Sequence, residues 1–414
     1  MKERLVVIGN GMAPGRMLEH LLERAPDRYA VTIFNAEPRV NYDRIMLSPV
    51  LSGEKAFDEI VIHGDGWYVR HGITLYKGHR VVAIDREART VTSAQGVSVG
   101  YDRLVIATGS VPFVLPLPGR DRPGVLTYRD LDDVNAMLLA AQSRARAVVI
   151  GGGLLGLEAA VGLRMRGMEV TVLHVGPSLM DRQLDPEAGA LLKGALEARG
   201  IAVRLGANTR AILGEPKATG VELADGEIVP ADLVVMAVGI RPNAALARDC
   251  GLAVGRGIVV DAGMATSDPA ILALGECAEV GGMVYGLVAP LYQMARVAAA
   301  RLAGDEAAFA HVDTPTRLKV TGIEVFSVGD FAAGEDREEI VASDPQAGLH
   351  KRLVLKNDRI LGAVLYGETA SAAWFNDLRT READVSALRE ALIFGEAYGP
   401  GAALAVSSLG AAGA

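Results

Sequence analysis

The 414-residue sequence predicts an α/β protein built from a strand–helix–strand unit that occurs twice, followed by an α+β segment. Three observations carry that expectation. Apolar runs that end in glycine turns recur in the same order. Glycine supplies 48 residues while aromatics make up only 5%, a composition suited to many tight turns and close backbone approaches. Half the residues are hydrophobic, enough for more than one core at this length.

The first unit opens with "RLVVIGNG", a buried parallel strand running into a glycine turn. "MLEHLLERA" reads as an amphipathic helix, and "YAVTIFNAE" as a second strand ending at Glu37. The pattern returns in "RAVVIGGGLLGLEAAVGLRMRGMEVTVLHV", residues 146–175. Two copies imply two dinucleotide folds. Between them, "VVAIDREARTV" and "GVSVGYDRLVIATGS" read as short antiparallel strands leading into an apolar one, and "VPFVLPLPGRDRPG" as a connection. A hairpin at Asp225-Gly226 and a buried strand close the second unit near Gly239, before Arg241-Pro242. "GIVVDAGMATSDPAILALGECAEV" then resembles a return to the first domain, and "VAPLYQMARVAAARLAG" a long helix. "TRLKVTGIEVFSVGD" and "HKRLVLKNDRILGAVLYG" alternate as antiparallel strands, with "ADVSALREALIFG" expected to be helical. The tail "GPGAALAVSSLGAAGA" is expected to be loosely ordered.

Charge and cysteine usage exclude several classes. The net charge is −8 and no run of Lys/Arg forms a basic stripe, so nucleic acid and membrane surfaces are not expected partners. The two cysteines, Cys250 and Cys277, form no Cys-x-x-Cys pair, which argues against an iron–sulfur cluster or a dithiol within the chain; no metal site is expected. "MKER" passes directly into a strand without a signal peptide, and the apolar stretch "MVYGLVAPLYQMA" stops at Arg296, so a cytoplasmic protein is expected.

A strand that ends in Gly-x-Gly and opens a helix brings backbone N–H groups and the positive helix end to a pyrophosphate, while an acid ending the next strand accepts from ribose hydroxyls. Gly9, Gly11 and Glu37 have that arrangement. Pro14 replaces the third glycine. In a first helical turn it removes only an N–H without an intrahelical partner, and Gly15 is expected to take over part of the steric role. The second loop is complete, with Gly151, Gly153, Gly156 and, just inside the helix, Glu158. Its second strand ends in His174 instead of an acid, with Arg182 nearby, which signals neither a ribose hydroxyl nor a 2′-phosphate; a plain strand-end polar residue is the other reading of His174.

Together "GNGMAPGR", "NYDRIMLSPVLSGE", "YDRLVIATGS", "VVIGGGLLGLEAA", "LVVMAVGIRPN" and "ILALGECAEV" resemble the two-dinucleotide flavoprotein oxidoreductases. "NYDRIMLS", "GECAE", "YGLVAPLYQMA" and "TRLKVTGIEVFSVGD" resemble a narrower group: the FAD-containing N-terminal part of bacterial NAD(P)H-dependent nitrite reductase large subunits, and the electron-transfer subunits of assimilatory nitrate reductases. The resemblance extends to about residue 370. It implies two Rossmann-like FAD- and NAD(P)-binding domains plus a C-terminal α+β domain. The expected bounds are 1–112 and 243–309 for FAD, 113–242 for NAD(P) and 310–414 for an interface domain.

By the same resemblance, the FAD-binding residues are Gly9, Asn10, Gly11, Ala13, Pro14, Glu37, Arg44, Val82, Ala107, Thr108, Gly109, Gly275, Glu276, Ala289 and Pro290. Arg44 would reach a phosphate. Glu276, where the superfamily usually has Asp, would accept from the ribityl chain, and the helix opening at Ala289 and Pro290 would aim its positive end at the flavin. Gly151, Gly153, Leu154, Leu155, Gly156, His174 and Gly239 would hold NADH or NADPH, with Glu158 as the candidate catalytic residue beside the nicotinamide. Related ferredoxin reductases pair that glutamate with a lysine where this chain has Pro49, so a charged relay is not expected. The flavin-facing cysteine of disulfide- and peroxide-reducing relatives is also missing, and Cys277 is expected to be a packing residue.

The implied activity is hydride transfer from NADH or NADPH to FAD, then single electrons to a metal-containing partner. That partner would be a nitrate or nitrite reductase subunit or an iron–sulfur carrier. Full-length nitrite reductases continue into cluster and sirohaem modules, so these residues alone are not expected to reduce nitrite. A general ferredoxin or rubredoxin reductase, an NADH oxidase and a nicotinamide-sensing flavoprotein without turnover are the alternatives. The acceptor, the nicotinamide preference, the role of the C-terminal domain and a homodimer through it stay open.

Overall fold

The computed structural model describes residues 2–143, 145–311, 313–320 and 322–398. The tail expected to be loosely ordered, 399–414, lies outside the described residues. Two compact units emerge. The first draws its described residues from Met1–Phe113, Arg129–Val134 and Gly239–Val312; the second draws them from Val114–Tyr128, Asn135–Val238 and Asp313–Ala414.

In the first unit a five-stranded parallel sheet has the order Ile271–Ala273, Arg103–Ile106, Glu3–Ile8, Tyr29–Asn35, Thr74–Lys77. Strand Glu3–Ile8 is central, and Leu5, Val6, Val7 and Ile8 are all buried, as a strand covered on both faces requires. Helix Met12–Arg24 buries Met17, Leu18 and Leu21 at helical spacing and packs against helix Val288–Ala303. Strands Val81–Asp85, Thr90–Ser93 and Ser98–Gly100 form the expected antiparallel piece.

The second unit repeats the plan. Its parallel sheet has the order Val125–Thr127, Leu233–Met236, Arg146–Ile150, Glu169–His174, Ile201–Leu205. Helix Leu154–Met165 follows the central strand, and Gly226 turns the expected hairpin at φ 92°. The same unit holds an antiparallel sheet in the order Thr316–Val320, Ile323–Gly329, Arg359–Tyr366, Leu349–Lys356, Glu338–Asp344. Helix Ala372–Thr380 covers it, and Phe326, Leu353, Leu365 and Phe375 form its core.

The helix expected over "ADVSALREALIFG" is absent. That stretch forms single 3₁₀ turns at Ser386–Leu388 and Leu392–Phe394. Val385, Leu392 and Ile393 have helical spacing, but the Leu388, Ala391 and Phe394 N–H groups donate three residues back, to the Val385, Leu388 and Ala391 carbonyls, at 2.9, 3.0 and 3.0 Å. The three apolar side chains are thus buried from separate tight turns, with bonds to i−3 carbonyls in place of the i−4 carbonyls of an α-helix.

The repeat extends to a detail that the motifs do not announce. Arg4 donates its backbone N–H (2.7 Å) and two guanidinium bonds (3.1 and 2.8 Å) to Asp102, just before strand Arg103–Ile106. Arg146 and Asp232 do the same in the second unit, at 3.1, 3.0 and 3.3 Å. These bonds hold the Asp102 carboxyl down to about 2, below its ordinary 3.8. The depressed value means the contribution is present above about pH 4 and is lost as the pH falls toward 2. Because the pair is solvent-exposed, Asp102→Asn should cost on the order of 1 kcal/mol or less at pH 7. In denaturant melts the gap between variant and parent should narrow from pH 4 toward pH 2 and close below it; a gap independent of pH would refute the assignment.

Candidate functional site

Each central strand ends in a glycine whose geometry the protein itself demands. Gly9 has φ 109° and Gly151 φ 122°. A Cβ at either would lie 2.2 Å from the Ala107 carbonyl oxygen or 2.3 Å from that of Ala237. The surrounding bonds match: Gly9 N–H donates to Phe34 and Gly151 N–H to Leu173, both at 2.8 Å. Ala107 and Ala237 donate back to Ile8 and Ile150 at 2.8 and 2.9 Å.

Two residues on, the glycine is not explained by the protein. Gly11 and Gly153 have φ −78° and −86°, which any residue adopts, and a Cβ on either would meet nothing within 4 Å. Both are N-cap residues, and neither helix has a side-chain cap or an acid in its first turn. Helix Pro186–Ala198, by contrast, is capped by Asp185, which accepts from Glu187 and Ala188 at 3.0 Å. Uncapped N–H groups, a positive helix end and open space before a side-chain-free residue suit a pyrophosphate.

The third position separates the loops. A Cβ at Gly156 would lie 2.0 Å from the Gly151 carbonyl oxygen. Pro14 is buried in the first helical turn, ahead of the first intrahelical bond, Gly15 N–H to Gly11 at 3.2 Å. Gly15 does not replace the missing glycine against the strand. A Cβ there would meet Asn41 Nδ2 at 2.9 Å and His63 Nδ1 at 3.4 Å. What it admits is the buried Asn41 amide, which donates to the Asn10 and Gly11 carbonyls at 2.9 and 2.6 Å and so stiffens the loop from behind. Asn10 is also buried and donates to Tyr68 Oη at 3.0 Å.

The strand expected to end at Glu37 stops at Asn35, and Glu37 lies two residues beyond it with its side chain 16% exposed. It pairs with Arg44, accepts from Tyr42 Oη at 2.9 Å and lies 3.5 Å from Arg39. Burial drives the Tyr42 hydroxyl upward, so it remains a donor. Arg44 also donates to the Arg129 carbonyl at 3.2 Å, and the Arg129 guanidinium pairs with Glu276. Ser110 Oγ donates to Glu276 at 2.9 Å. Gly109 (φ 67°) faces Glu276, and Gly275 (φ 87°) faces Ala13. Thr108 Oγ1 donates to the Asn243 carbonyl at 2.6 Å. One connected array thus joins the first loop, Glu37, Arg44, residues 107–109 and residues 275–276. Ala289 and buried Pro290 lie in the uncapped first turn of helix Val288–Ala303. Val82 is 54% exposed on its strand.

The second unit gathers Gly151, Gly153, Leu154, Leu155, Gly156 and the buried Glu158, with His174 accepting the Gly152 N–H through Nδ1 at 3.2 Å. Gly239 (φ 118°) falls in the first unit, where its carbonyl accepts from Phe113 at 2.9 Å. Asn41 and Arg129 escaped the sequence reading. Asn41 heads the "NYDR" stretch and could have been suspected there, whereas nothing local marks Arg129. Cys277 is buried and Cys250 half-buried; both are free, and burial raises both thiols, the opposite of what a reactive thiolate needs.

Two glycine loops that share the geometry of their first two glycines, the first joined to an acid–arginine array, suit a protein with two dinucleotide sites. The chain belongs to the pyridine nucleotide-disulphide oxidoreductase family, whose model matches residues 3–304; the rubredoxin NAD+ reductase C-terminal domain matches residues 315–383. It is 46% identical over 386 residues to the nitrite reductase [NAD(P)H] of Bacillus subtilis, covering 93% of this chain and 48% of that protein. With the assimilatory nitrate reductase electron transfer subunit of the same organism it shares 42% over 400 residues, 96% of this chain and 52% of that one. The chain therefore spans about half the length of these curated relatives. Among solved structures, the ferredoxin reductase for the CYP199A2 system of Rhodopseudomonas palustris superposes with TM-score 0.84 at 28% identity, covering 92% and 96% of the two chains. An NAD-dependent persulfide reductase from A. fulgidus does so with 0.85 at 26%, covering 93% and 78%.

Family membership makes the chain an oxidoreductase with FAD and a pyridine nucleotide as cofactors. No helix of the described residues is long and apolar enough to cross a membrane. If the carboxylate held by Arg44 and Tyr42 serves the FAD ribose, Glu37→Ala should raise the FAD dissociation constant about tenfold or more. Unchanged flavin content and affinity would remove Glu37 from the site.

Proposed function

We propose that this chain is the flavin-bearing electron-transfer part of an assimilatory nitrite- or nitrate-reducing system in the cytoplasm. It takes a hydride from NADH or NADPH and delivers single electrons to a metal-containing reductase subunit or an iron–sulfur carrier. The observation that supports this most directly is the similarity over 93% and 96% of the chain to a nitrite reductase and a nitrate reductase electron-transfer subunit.

Flavin, when bound, converts a two-electron donor into a one-electron source. The protein's part is to bind and to orient. In the first unit the N–H groups of Met12 and Ala13, with Gly11 leaving room, would hold the FAD pyrophosphate, and Glu37 the ribose. Glu276, kept in place by Arg129 and Ser110, would accept from the ribityl hydroxyls, and the start of helix Val288–Ala303 would favour negative charge on the reduced ring. In the second unit Gly153 and the helix behind it would hold the nicotinamide dinucleotide, with Glu158 near its nicotinamide. Residues 1–112 and 243–309 would form the FAD domain, 113–242 the NAD(P) domain and 310–414 an interface domain able to pair two copies. Both cysteines being free suits a reducing compartment.

A general ferredoxin or rubredoxin reductase is the second reading, favoured by the rubredoxin reductase domain match at residues 315–383. Anaerobic titration of the yellow protein with NADH or NADPH tests both readings. Stoichiometric bleaching, then return of colour with a nitrite reductase cluster module faster than with a rubredoxin, is expected. No bleaching by either nucleotide would overturn the proposal, and faster return with rubredoxin would favour the second reading.

A further inference from the structure

Strand Glu169–His174 ends without the carboxylate that would accept from a ribose 2′-hydroxyl. The chain brings one back from further along. Gly152, in the middle of the second glycine loop, is engaged on both sides: its N–H donates to His174 Nδ1 at 3.2 Å, and its carbonyl accepts from Met180 N–H at 3.0 Å. A Cβ at 152 would lie 2.8 Å from His174 Cγ, so only glycine lets the ring approach. An accepting Nδ1 carries no proton, which leaves the ring proton on Nε2. Nε2 is buried without a hydrogen-bond partner, and Asp181 Oδ2 stands 3.9 Å from it.

The turn that presents Asp181 is equally specific. Met180 holds a left-handed backbone, φ 50°, which few non-glycine residues adopt. Its carbonyl accepts from Gln183 and Leu184 at 2.7 and 2.9 Å, closing the turn against the loop. Gly176 clears the space alongside, since a Cβ there would lie 2.6 Å from Asp181 Oδ2 and 2.7 Å from His174 Nε2. The Asp181 side chain is 45% exposed, so the carboxylate faces the unpartnered Nε2 without bonding it and remains reachable from solvent.

We infer that Asp181, with His174 as its positioning residue, accepts from the adenosine ribose of the nicotinamide dinucleotide and selects NADH over NADPH. The inference rests on the reading of this unit as the nicotinamide-binding one. A 2′-hydroxyl can donate to the carboxylate. A 2′-phosphate dianion cannot, and it brings like charge against Asp181. Arg182, exposed at the next position, is the cation that a 2′-phosphate would meet once the carboxylate is removed.

The test is anaerobic flavin reduction of the full chain in its flavin-bound form, with NADH and NADPH titrated separately. The parent should prefer NADH. Asp181→Asn should raise the NADH dissociation constant about tenfold or more, leave NADPH unchanged or tighter, and hold the limiting reduction rate within about twofold. His174→Asn keeps an acceptor for the Gly152 N–H but loses the far donor, and should shift the NADH constant in the same direction by less. A nucleotide preference unmoved by Asp181→Asn, or a parent that prefers NADPH, overturns the inference while leaving the nicotinamide site standing. A parent reduced by neither nucleotide overturns the nicotinamide reading itself.

Discussion

Gly9→Ala is expected to yield protein without flavin and with a destabilised first unit. Two costs coincide at this residue. Its φ of 109° is one that a side chain resists, and a new methyl carbon would lie 2.2 Å from the Ala107 carbonyl oxygen, a backbone atom held in the central sheet. Neither can relax independently, because Gly9 N–H is tied to Phe34 and Ala107 N–H to Ile8. The loss should reach about 3 kcal/mol or more, a large fraction of an ordinary domain's stability. Denaturant melts and the flavin-to-protein ratio of the purified variant read both effects. Parent-like stability and full flavin content would show that the first loop is free to rearrange.

Gly153→Ala should behave in the opposite way, sparing the fold and removing the nucleotide. Its backbone, at φ −86° and ψ −179°, accepts any residue, and the added methyl group would meet no protein atom within 4 Å. Stability should therefore stay within about 0.5 kcal/mol of the parent. The same methyl would intrude where a pyrophosphate comes against the helix N-terminus, so the NADH dissociation constant should rise on the order of a hundredfold, about 2.7 kcal/mol. Flavin content should not change. Equal loss of stability in Gly153→Ala and Gly151→Ala would contradict the division of labour between the two glycines, and unchanged NADH affinity would move the dinucleotide elsewhere.

Both glycine loops, the strands around them and the antiparallel C-terminal strands were legible in the sequence. Each rests on a local signal: an apolar run, a glycine at fixed spacing, a change of period from strand to helix. The same locality explains the failure at "ADVSALREALIFG", where helical spacing is present but the N–H groups of Leu388, Ala391 and Phe394 bond three residues back while Val385, Leu392 and Ile393 are buried in the core of the antiparallel sheet. It also explains the misassigned role of Gly15, whose neighbour is Asn41 and not the adjoining strand.

What the sequence by itself determined, then, is the pair of β-α-β units and the positions of their glycines, because turn conformation and burial period are written in neighbouring residues. Only the tertiary structure decided which distant groups complete each loop. Arg129 reaches Glu276 across 147 positions, Asn41 reaches the carbonyls of Asn10 and Gly11, and the Met180 turn sets Asp181 beside His174. The physical reason is that a hydrogen bond or ion pair depends on which strands lie side by side and on where a connecting segment returns, and no local period encodes either.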